Sequence, residues 1–181
     1  MKKTTRYIVV NAAVAALYVA LTVPFGALAT NPFVQIRPGE ALTVLPLVMP
    51  CTIVGLTVGC AVGNLVSSFG LWDILLGSLV TCVAAFATSK AKKDWLAPLP
   101  PVLLNAFLLP LVWILAATDA PTFTTYALQV GGLLLSQSVV CFGLGLPLLS
   151  VAKKRILPML ADDVSAETTI NSDQENGDKR N

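Results

Sequence analysis

Two acidic residues and one arginine interrupt long apolar stretches of the chain. Arg37 and Glu40 lie three residues apart in FVQIRPGEALTVLP, residues 33–46, and Asp73 lies in NLVSSFGLWDILLGS, residues 64–78. An ionisable group within a membrane span costs about 2.5–3.5 kcal/mol on insertion scales, so it generally has a partner or a function. Carboxylates at such positions can bind a cation or accept hydrogen bonds from a donor-rich ligand.

Each of these residues also has a purely structural explanation. Pro38 suits the first position of a helix, and Glu40 in the first turn would interact favourably with the helix dipole. Arg37 is close enough in sequence to pair with Glu40, and Asp73 could simply cap the helix that follows it. For Glu40 the structural and the binding explanations both stay open.

Further polar residues precede Asp73. Asn64, Ser67 and Ser68 follow the i, i+3, i+4 spacing, which predicts that they share one face of a helix. That face ends where Trp72 and Asp73 begin. Carboxylates, an amide, hydroxyls and aromatic rings are therefore expected at one membrane surface, and we predict a pocket there rather than separate helix caps.

The composition indicates where these residues are held. The 181-residue chain is 55% hydrophobic and 12% charged, about half the charged fraction of an ordinary globular domain. Most of the chain between Tyr7 and Lys153 can be divided into apolar segments of roughly 20 residues, the length of a transmembrane helix. The sequence predicts an all-α integral membrane protein.

The positions of the basic residues predict the topology. Basic clusters lie at residues 2–6, 90–93 and 153–155. All three share the cytoplasmic side only if the long apolar block 38–68, which is interrupted by Pro46 and Pro50, crosses twice and turns near residues 49–51. This gives six transmembrane helices with both termini cytoplasmic and with Glu40 and Asp73 at the outer face. Helices two and three are then short, so neighbouring helices must shield at least one of them from lipid.

The chain accordingly divides into three regions. The predicted regions are a cytoplasmic N-terminus, residues 1–6, a six-helix domain, residues 7–155, and a disordered acidic cytoplasmic tail, residues 156–181.

Two helices carry small residues at four-residue spacing. Helix one has Ala12, Ala16 and Ala20, and helix three has glycines at the same spacing in GLTVGCAVG, residues 55–63. Such faces let helix backbones approach closely. We expect the glycines to pack inside the bundle. The alanines could do the same or form an outward face for another subunit.

Several function classes lack their sequence signals. The chain has no histidine, and its four cysteines show no CxxC spacing, which disfavours a metal site. The sequence contains neither a P-loop nor an HExxH or GxSxG motif, so we predict no cofactor, no catalytic activity and no ATP hydrolysis by this chain. The few basic residues lie at helix ends, which disfavours nucleic-acid binding.

Two stretches resemble a known family. VQIRPGEALTVLP and GLTVGCAVGNLVSSFGLWDILLGSLVT are similar to the signature stretches of the QueT family, and the resemblance covers roughly residues 8–150. QueT proteins are proposed substrate-binding (S) subunits of energy-coupling factor (ECF) transporters for queuosine precursors, such as 7-aminomethyl-7-deazaguanine or queuine. The resemblance implies a bacterial cell-membrane location and partners, namely a transmembrane coupling (T) subunit and two ATPase subunits. It also implies docking through Ala12, Ala16 and Ala20, and release of the ligand inside when ATP drives the coupling subunit.

The resemblance also implies how a deazaguanine would bind. One carboxylate would accept the ring N–H and the exocyclic amine, and the second would bind the aminomethyl cation; which acid does which stays open. Amide and hydroxyl groups would meet the acceptors of the base, an aromatic ring would stack on its plane, and the arginine would orient Glu40 or bind the carbonyl oxygen. The predicted ligand-binding residues are Glu40, Asp73, Asn64, Arg37, Gln35, Ser67, Ser68, Phe69 and Trp72.

Other functions fit the same composition. The chain could be an S subunit for another micronutrient, such as riboflavin or thiamine. It could also be a stand-alone channel or secondary transporter for small cations, with the two acids as its selectivity site. Transport without ATPase partners would distinguish the latter, and direct ligand binding would distinguish the former.

Overall fold

The protein is an all-helical bundle in the computed structural model, which describes residues 3–67, 69–116, 122–156 and 158. No strand is present among these residues, and the predicted all-α class is confirmed. The α-helices are α1 (Lys3–Thr22), α2 (Ile53–Gly63), α3 (Ser78–Ser89), α4 (Leu99–Ala116), α5 (Phe123–Val140) and α6 (Leu146–Val151). Most of the predicted tail lies outside the described residues.

Shorter helical turns extend or connect these helices. Turns of 3-10 helix span Val23–Leu28, Pro38–Leu47, Pro50–Thr52, Asn64–Val66 and Asp94–Leu96, and π turns span Asp73–Gly77, Cys141–Gly145 and Ala152–Ile156. In the described part of the chain, three continuous helical runs are long and apolar enough to cross a membrane, namely Thr4–Leu28, Asp94–Ile114 and Phe123–Arg155. Two shorter apolar runs, Pro50–Val66 and Asp73–Ser89, accompany them. The remaining predicted helix, the second, corresponds to the 3-10 helix Pro38–Leu47.

This 3-10 helix is the most deeply buried element. All eight residues from Gly39 to Pro46 are buried, and the helix contacts α1, α3 and the π turn Cys141–Gly145. Its ten residues span about 20 Å at the 3-10 rise, less than the roughly 30 Å hydrocarbon core. Neighbouring helices therefore shield the second helix, as its shortness predicted. Gly39 and Pro46 both disfavour a regular α-helix here.

Helices α1 and α2 pack closely through the glycine face. The Gly55 N–H donates a 2.6 Å hydrogen bond to Asn11 Oδ1. A Cβ atom at Gly59 would lie 2.9 Å from Tyr18 Cβ and 3.1 Å from Ala15 Cα. Only a residue without a side chain fits at this distance, so the prediction that the glycines pack inside the bundle is confirmed.

The alanines of α1 lie on a different face of the helix. Ala12, Ala16 and Ala20 are all exposed, whereas Asn11 and Tyr18, which contact α2, are buried. The alternative in which these alanines pack inside the bundle is therefore wrong. They form an outward strip of small side chains along α1.

The chain divides by its contacts into two units, Met1–Leu149 and Ser150–Asn181. The first unit contains the bundle and the buried polar residues described below. The described part of the second unit consists of the end of α6, the π turn Ala152–Ile156 with its three basic residues, and residue 158.

Candidate ligand-binding site

The segment before the 3-10 helix brings two polar side chains into the bundle. Arg37 has an extended backbone, with φ −120° and ψ 92°, and Gln35 and Arg37 are both buried while Val34 is exposed. Burial alternates over residues 34–37, so Gln35 and Arg37 both belong to the buried side of the segment. The Arg37 Nε donates a 2.5 Å hydrogen bond to the carbonyl oxygen of Ala29, and the Ile36 N–H donates to the Leu28 carbonyl. These bonds fix the segment to the end of the first helical run.

Arg37 pairs with Asp73. The distance from Arg37 Nη2 to Asp73 Oδ2 is 3.3 Å, and both side chains are at most 2% exposed. Trp113 Nε1 donates to the other oxygen, Asp73 Oδ1, at 3.4 Å. The direct ion pair of Arg37 is therefore with Asp73 and not with Glu40, the partner that the sequence spacing allowed. Because Arg37 precedes the first helical turn with an extended backbone, the neighbour relation of helical positions i and i+3 does not apply to it.

Glu40 has different partners. Tyr18 Oη donates to Glu40 Oε1 at 2.6 Å, and Asn105 Nδ2 donates to Glu40 Oε2 at 3.2 Å. The Glu40 side chain is 1% exposed although the residue lies in the first turn of the 3-10 helix. A carboxylate that only interacts with the helix dipole could remain exposed to solvent and would not need these interhelical hydrogen bonds. Its position satisfies the structural explanation, and its contacts show that the carboxylate also belongs to a buried network.

The charges of this network do not balance. We define the polar cluster as two hydrogen-bonded groups of buried residues: Tyr18, Glu40 and Asn105, and Arg37, Asp73, Trp113 and Asn64. It contains two carboxylates and one guanidinium, and the guanidinium contacts Asp73. Both side chains that donate to the Glu40 carboxylate, a phenol and an amide, are neutral. With both acids ionised, the cluster has one excess negative charge.

Asn64 supports Asp73 from the end of α2. Its Nδ2 donates a 2.7 Å hydrogen bond to the backbone carbonyl of Asp73. Gly77 allows this approach, because a Cβ atom there would lie 2.8 Å from Asp73 Oδ1 and 2.9 Å from Asn64 Nδ2. The structure thus brings Asn64 and Asp73 together as predicted, with Asn64 bound to the main chain of the acid.

The predicted serine face is wrong for Ser67. Helix α2 ends at Gly63, and after one 3-10 turn Ser67 has an extended backbone with ψ 139°. Its hydroxyl oxygen accepts a hydrogen bond from the Phe69 N–H. Helical spacing therefore stops before Ser67, which lies in the connecting turn; Ser68 lies outside the described residues.

The aromatic residues separate into a buried and an exposed group. Phe69 stacks on Trp113 with ring centroids 5.1 Å apart and an interplanar angle of 16°. Trp72 is half exposed, so Phe69 is the predicted stacking residue that adjoins the polar cluster. Trp113 is 2% exposed and bonds to Asp73, so it belongs to the buried group.

Several buried polar atoms near these elements have no hydrogen-bond partner in the described part of the chain. They are Gln35 Nε2 and Oε1, Asn105 Oδ1, Thr22 Oγ1 and Gln129 Oε1. Buried polar groups are nearly always paired, so each such atom needs an explanation. Three of the five can only accept hydrogen bonds. These unpartnered acceptor atoms therefore favour a ligand that is rich in hydrogen-bond donors.

A family model described as QueT transporter matches residues 8–154. The chain belongs to the QueT transporter family. It is accordingly a membrane transporter protein, consistent with its long apolar helices, and the resemblance of the two sequence stretches is confirmed. No significant match is found among curated proteins or among solved structures.

Three residues of this QueT site lie outside the predicted set. Tyr18, Asn105 and Trp113 bond to the two carboxylates from α1 and α4. The available signal was weak: Asn105 is one of few polar residues in its apolar helix, and an interhelical hydrogen bond is its usual explanation. That bond exists, and its acceptor is Glu40. Nothing in the spacing of residues 18, 40 and 105 indicates that they meet.

Proposed function

We propose that this QueT protein is the substrate-binding subunit of an ECF-type importer. It binds a queuosine precursor, 7-aminomethyl-7-deazaguanine or queuine, at the outer face of the bacterial cell membrane. It releases the ligand inside when it is coupled to a transmembrane subunit and two ATPase subunits. Membership of the transporter family and the chemistry of the polar cluster support this function.

The observation that carries the proposal is the different pairing of the two acids. Asp73 contacts the guanidinium of Arg37, whereas the contacts to Glu40 come from the neutral groups of Tyr18 and Asn105. A buried carboxylate whose direct hydrogen-bond partners are all neutral is less well stabilised than one in direct contact with a cation. A cationic ligand would supply the counter-ion, so we assign the ligand to Glu40 and the anchoring of Arg37 to Asp73.

The aminomethyl group of the ligand fits this position. It is a cation near neutral pH with several N–H donors, and queuine also has an amine at this position of the ring. Glu40 offers charged acceptors, and the unpartnered Asn105 Oδ1 belongs to the same amide that donates to Glu40. Charge-assisted hydrogen bonds of this kind are roughly twice as strong as neutral ones.

Helix α1 supplies the proposed coupling surface. Its contact with α2 uses Asn11, Ala15 and Tyr18, which leaves the exposed strip of Ala12, Ala16 and Ala20 for another helix. Small side chains allow close approach of helices within a membrane. We assign this strip to docking of the coupling subunit, with both termini of the QueT chain on the cytoplasmic side.

Direct binding tests the proposal. The detergent-purified protein is titrated with 7-aminomethyl-7-deazaguanine and queuine, and with guanine, riboflavin and thiamine for comparison. The account predicts that the two aminated deazaguanines bind more tightly than guanine, which lacks the cationic group. Binding of a vitamin and of neither aminated deazaguanine would refute the substrate class, while the family assignment would remain.

A further inference from the structure

Gln35 is buried without any partner for its amide. The residue is 0% exposed, and both Nε2 and Oε1 lack a hydrogen bond. Within residues 3–67, 69–116 and 122–156, Gln35 is the one side chain with two buried polar atoms that lack a hydrogen bond. Other buried amides have direct roles in packing: Asn64 donates to the Asp73 carbonyl and Asn11 accepts from Gly55.

The surrounding structure holds Gln35 in place. The next residue, Ile36, is fixed by its N–H bond to the Leu28 carbonyl, and Arg37 is fixed by its bonds to Ala29 and Asp73. Gly132 allows the segment to lie against α5, because a Cβ atom there would collide with the backbone of Phe33. The amide of Gln35 is thus kept in a buried position by bonds that its own side chain does not make.

The two sides of this segment differ in chemistry. Val34 and Ile36 line an apolar cavity of about 190 Å³ together with Gly132, Leu135, Ser136, Val139 and Val140 of α5. Gln35 and Arg37 belong to the other side, where Arg37 reaches Asp73. The alternating burial of residues 34–37 therefore favours the side of the polar cluster for the unpaired amide, away from the apolar cavity.

We propose that the Gln35 amide recognises a cyclic amide edge of the ligand, a ring carbonyl next to a ring N–H. Nε2 donates to the ring carbonyl oxygen, and Oε1 accepts from the ring N–H. This inference rests on the proposed function and deepens it, because Asp73 is paired with Arg37 and the ring edge needs another partner. Glu40 then binds the cationic substituent, and Gln35 identifies the ring that carries it.

Measurements of stability and of ligand affinity distinguish ligand recognition by Gln35 from a structural role of this residue. Removal of a side chain that supports the fold lowers the stability of the ligand-free protein. An amide with no partner in the ligand-free protein is unfavourable where it is, so an apolar side chain of similar size is tolerated or preferred there. Gln35→Met makes this change. Val34→Ala is the matched control, since Val34 is the adjacent, half-exposed residue on the other side of the segment.

The experiment measures melting temperature and ligand affinity of the full-length protein in detergent. For Gln35→Met we expect an unchanged or higher melting temperature without ligand. Its affinity for 7-aminomethyl-7-deazaguanine should fall roughly 30-fold, as expected for two lost hydrogen bonds. Val34→Ala should change this affinity by no more than about twofold. The wild type should prefer this ligand over the analogue that lacks the ring carbonyl, and Gln35→Met should lose the preference.

Two results would overturn the inference. One is a clear fall in melting temperature of the ligand-free Gln35→Met variant, which would make Gln35 a structural residue. The other is unchanged affinity and unchanged preference for the ring carbonyl. If the wild type binds no aminated deazaguanine, the proposed function and the assigned ring edge fail together, and the melting temperatures still decide whether Gln35 supports the fold.

Discussion

The replacement of Asp73 by asparagine should destabilise the protein strongly. The change leaves the Arg37 guanidinium, which is 2% exposed, without the carboxylate 3.3 Å away. Removing one partner of a buried ion pair costs about 3–5 kcal/mol. We expect the lower end, because Arg37 keeps its bond to Ala29 and the new amide oxygen can still accept from Trp113. A protein of this size loses about 2–4 °C of melting temperature per kcal/mol, which gives a fall of roughly 10 °C.

Glu40→Gln is the matched control, because it changes the charge by the same amount at a similarly buried site. Tyr18 can donate to the remaining side-chain oxygen. Asn105 can rotate its amide, so that the Oδ1 atom that now has no partner accepts from the new amide nitrogen. The network stays paired, and the melting temperature should change by no more than about 3 °C, the effect of about 1 kcal/mol.

The assay is thermal unfolding of the detergent-purified variants without ligand. A third variant, Arg37→Met with Asp73→Asn, removes the unpaired charge and should recover at least half of the lost melting temperature. Equal shifts for Asp73→Asn and Glu40→Gln, or a larger shift for Glu40→Gln, would refute the assignment of Asp73 as the anchor of Arg37.

Two further predictions concern α1. Gly59→Ala places a Cβ atom 3.1 Å from Ala15 Cα and should lower the melting temperature by about 5 °C, as expected for overpacking by about 1–3 kcal/mol. The control is Gly131→Ala, where the new atom meets nothing within 4 Å and the melting temperature should not fall. Equal losses in the two variants would contradict close packing of α1 against α2 at Gly59. Ala16→Phe should leave ligand affinity within about twofold of the wild type while abolishing uptake by cells that express the coupling and ATPase subunits, and normal uptake would contradict the docking role of the alanine strip.

The sequence predicted the architecture well because lipid imposes strong constraints on it. Apolar length and the distribution of basic residues required that neighbouring helices shield helix two or helix three, and Pro38–Leu47 is such a shielded helix. The spacing of Gly55 and Gly59 predicted close helix packing, and both glycines contact α1. These features depend on local composition and periodicity, which can be read without knowing how the helices are arranged.

The pairing of the polar residues could not be predicted in the same way. Local spacing allowed a pair of Arg37 with Glu40, but the guanidinium of Arg37 lies beside Asp73, 36 residues along the chain. Asn105 contacts Glu40 across 65 residues, a relation set by tertiary packing. Ser67 was misplaced for a local reason, because the helix ends at Gly63 and its spacing could not continue.

The most direct test of the account is the affinity of 7-aminomethyl-7-deazaguanine for the wild-type protein and for Glu40→Gln. The account predicts binding by the wild type and a loss of at least about 30-fold in the variant, since a charged partner of the ligand is removed. The melting temperature of the ligand-free variant, meanwhile, should stay close to that of the wild type. Equal affinity of the two proteins would contradict the assignment of Glu40 as the carboxylate that binds the cationic ligand.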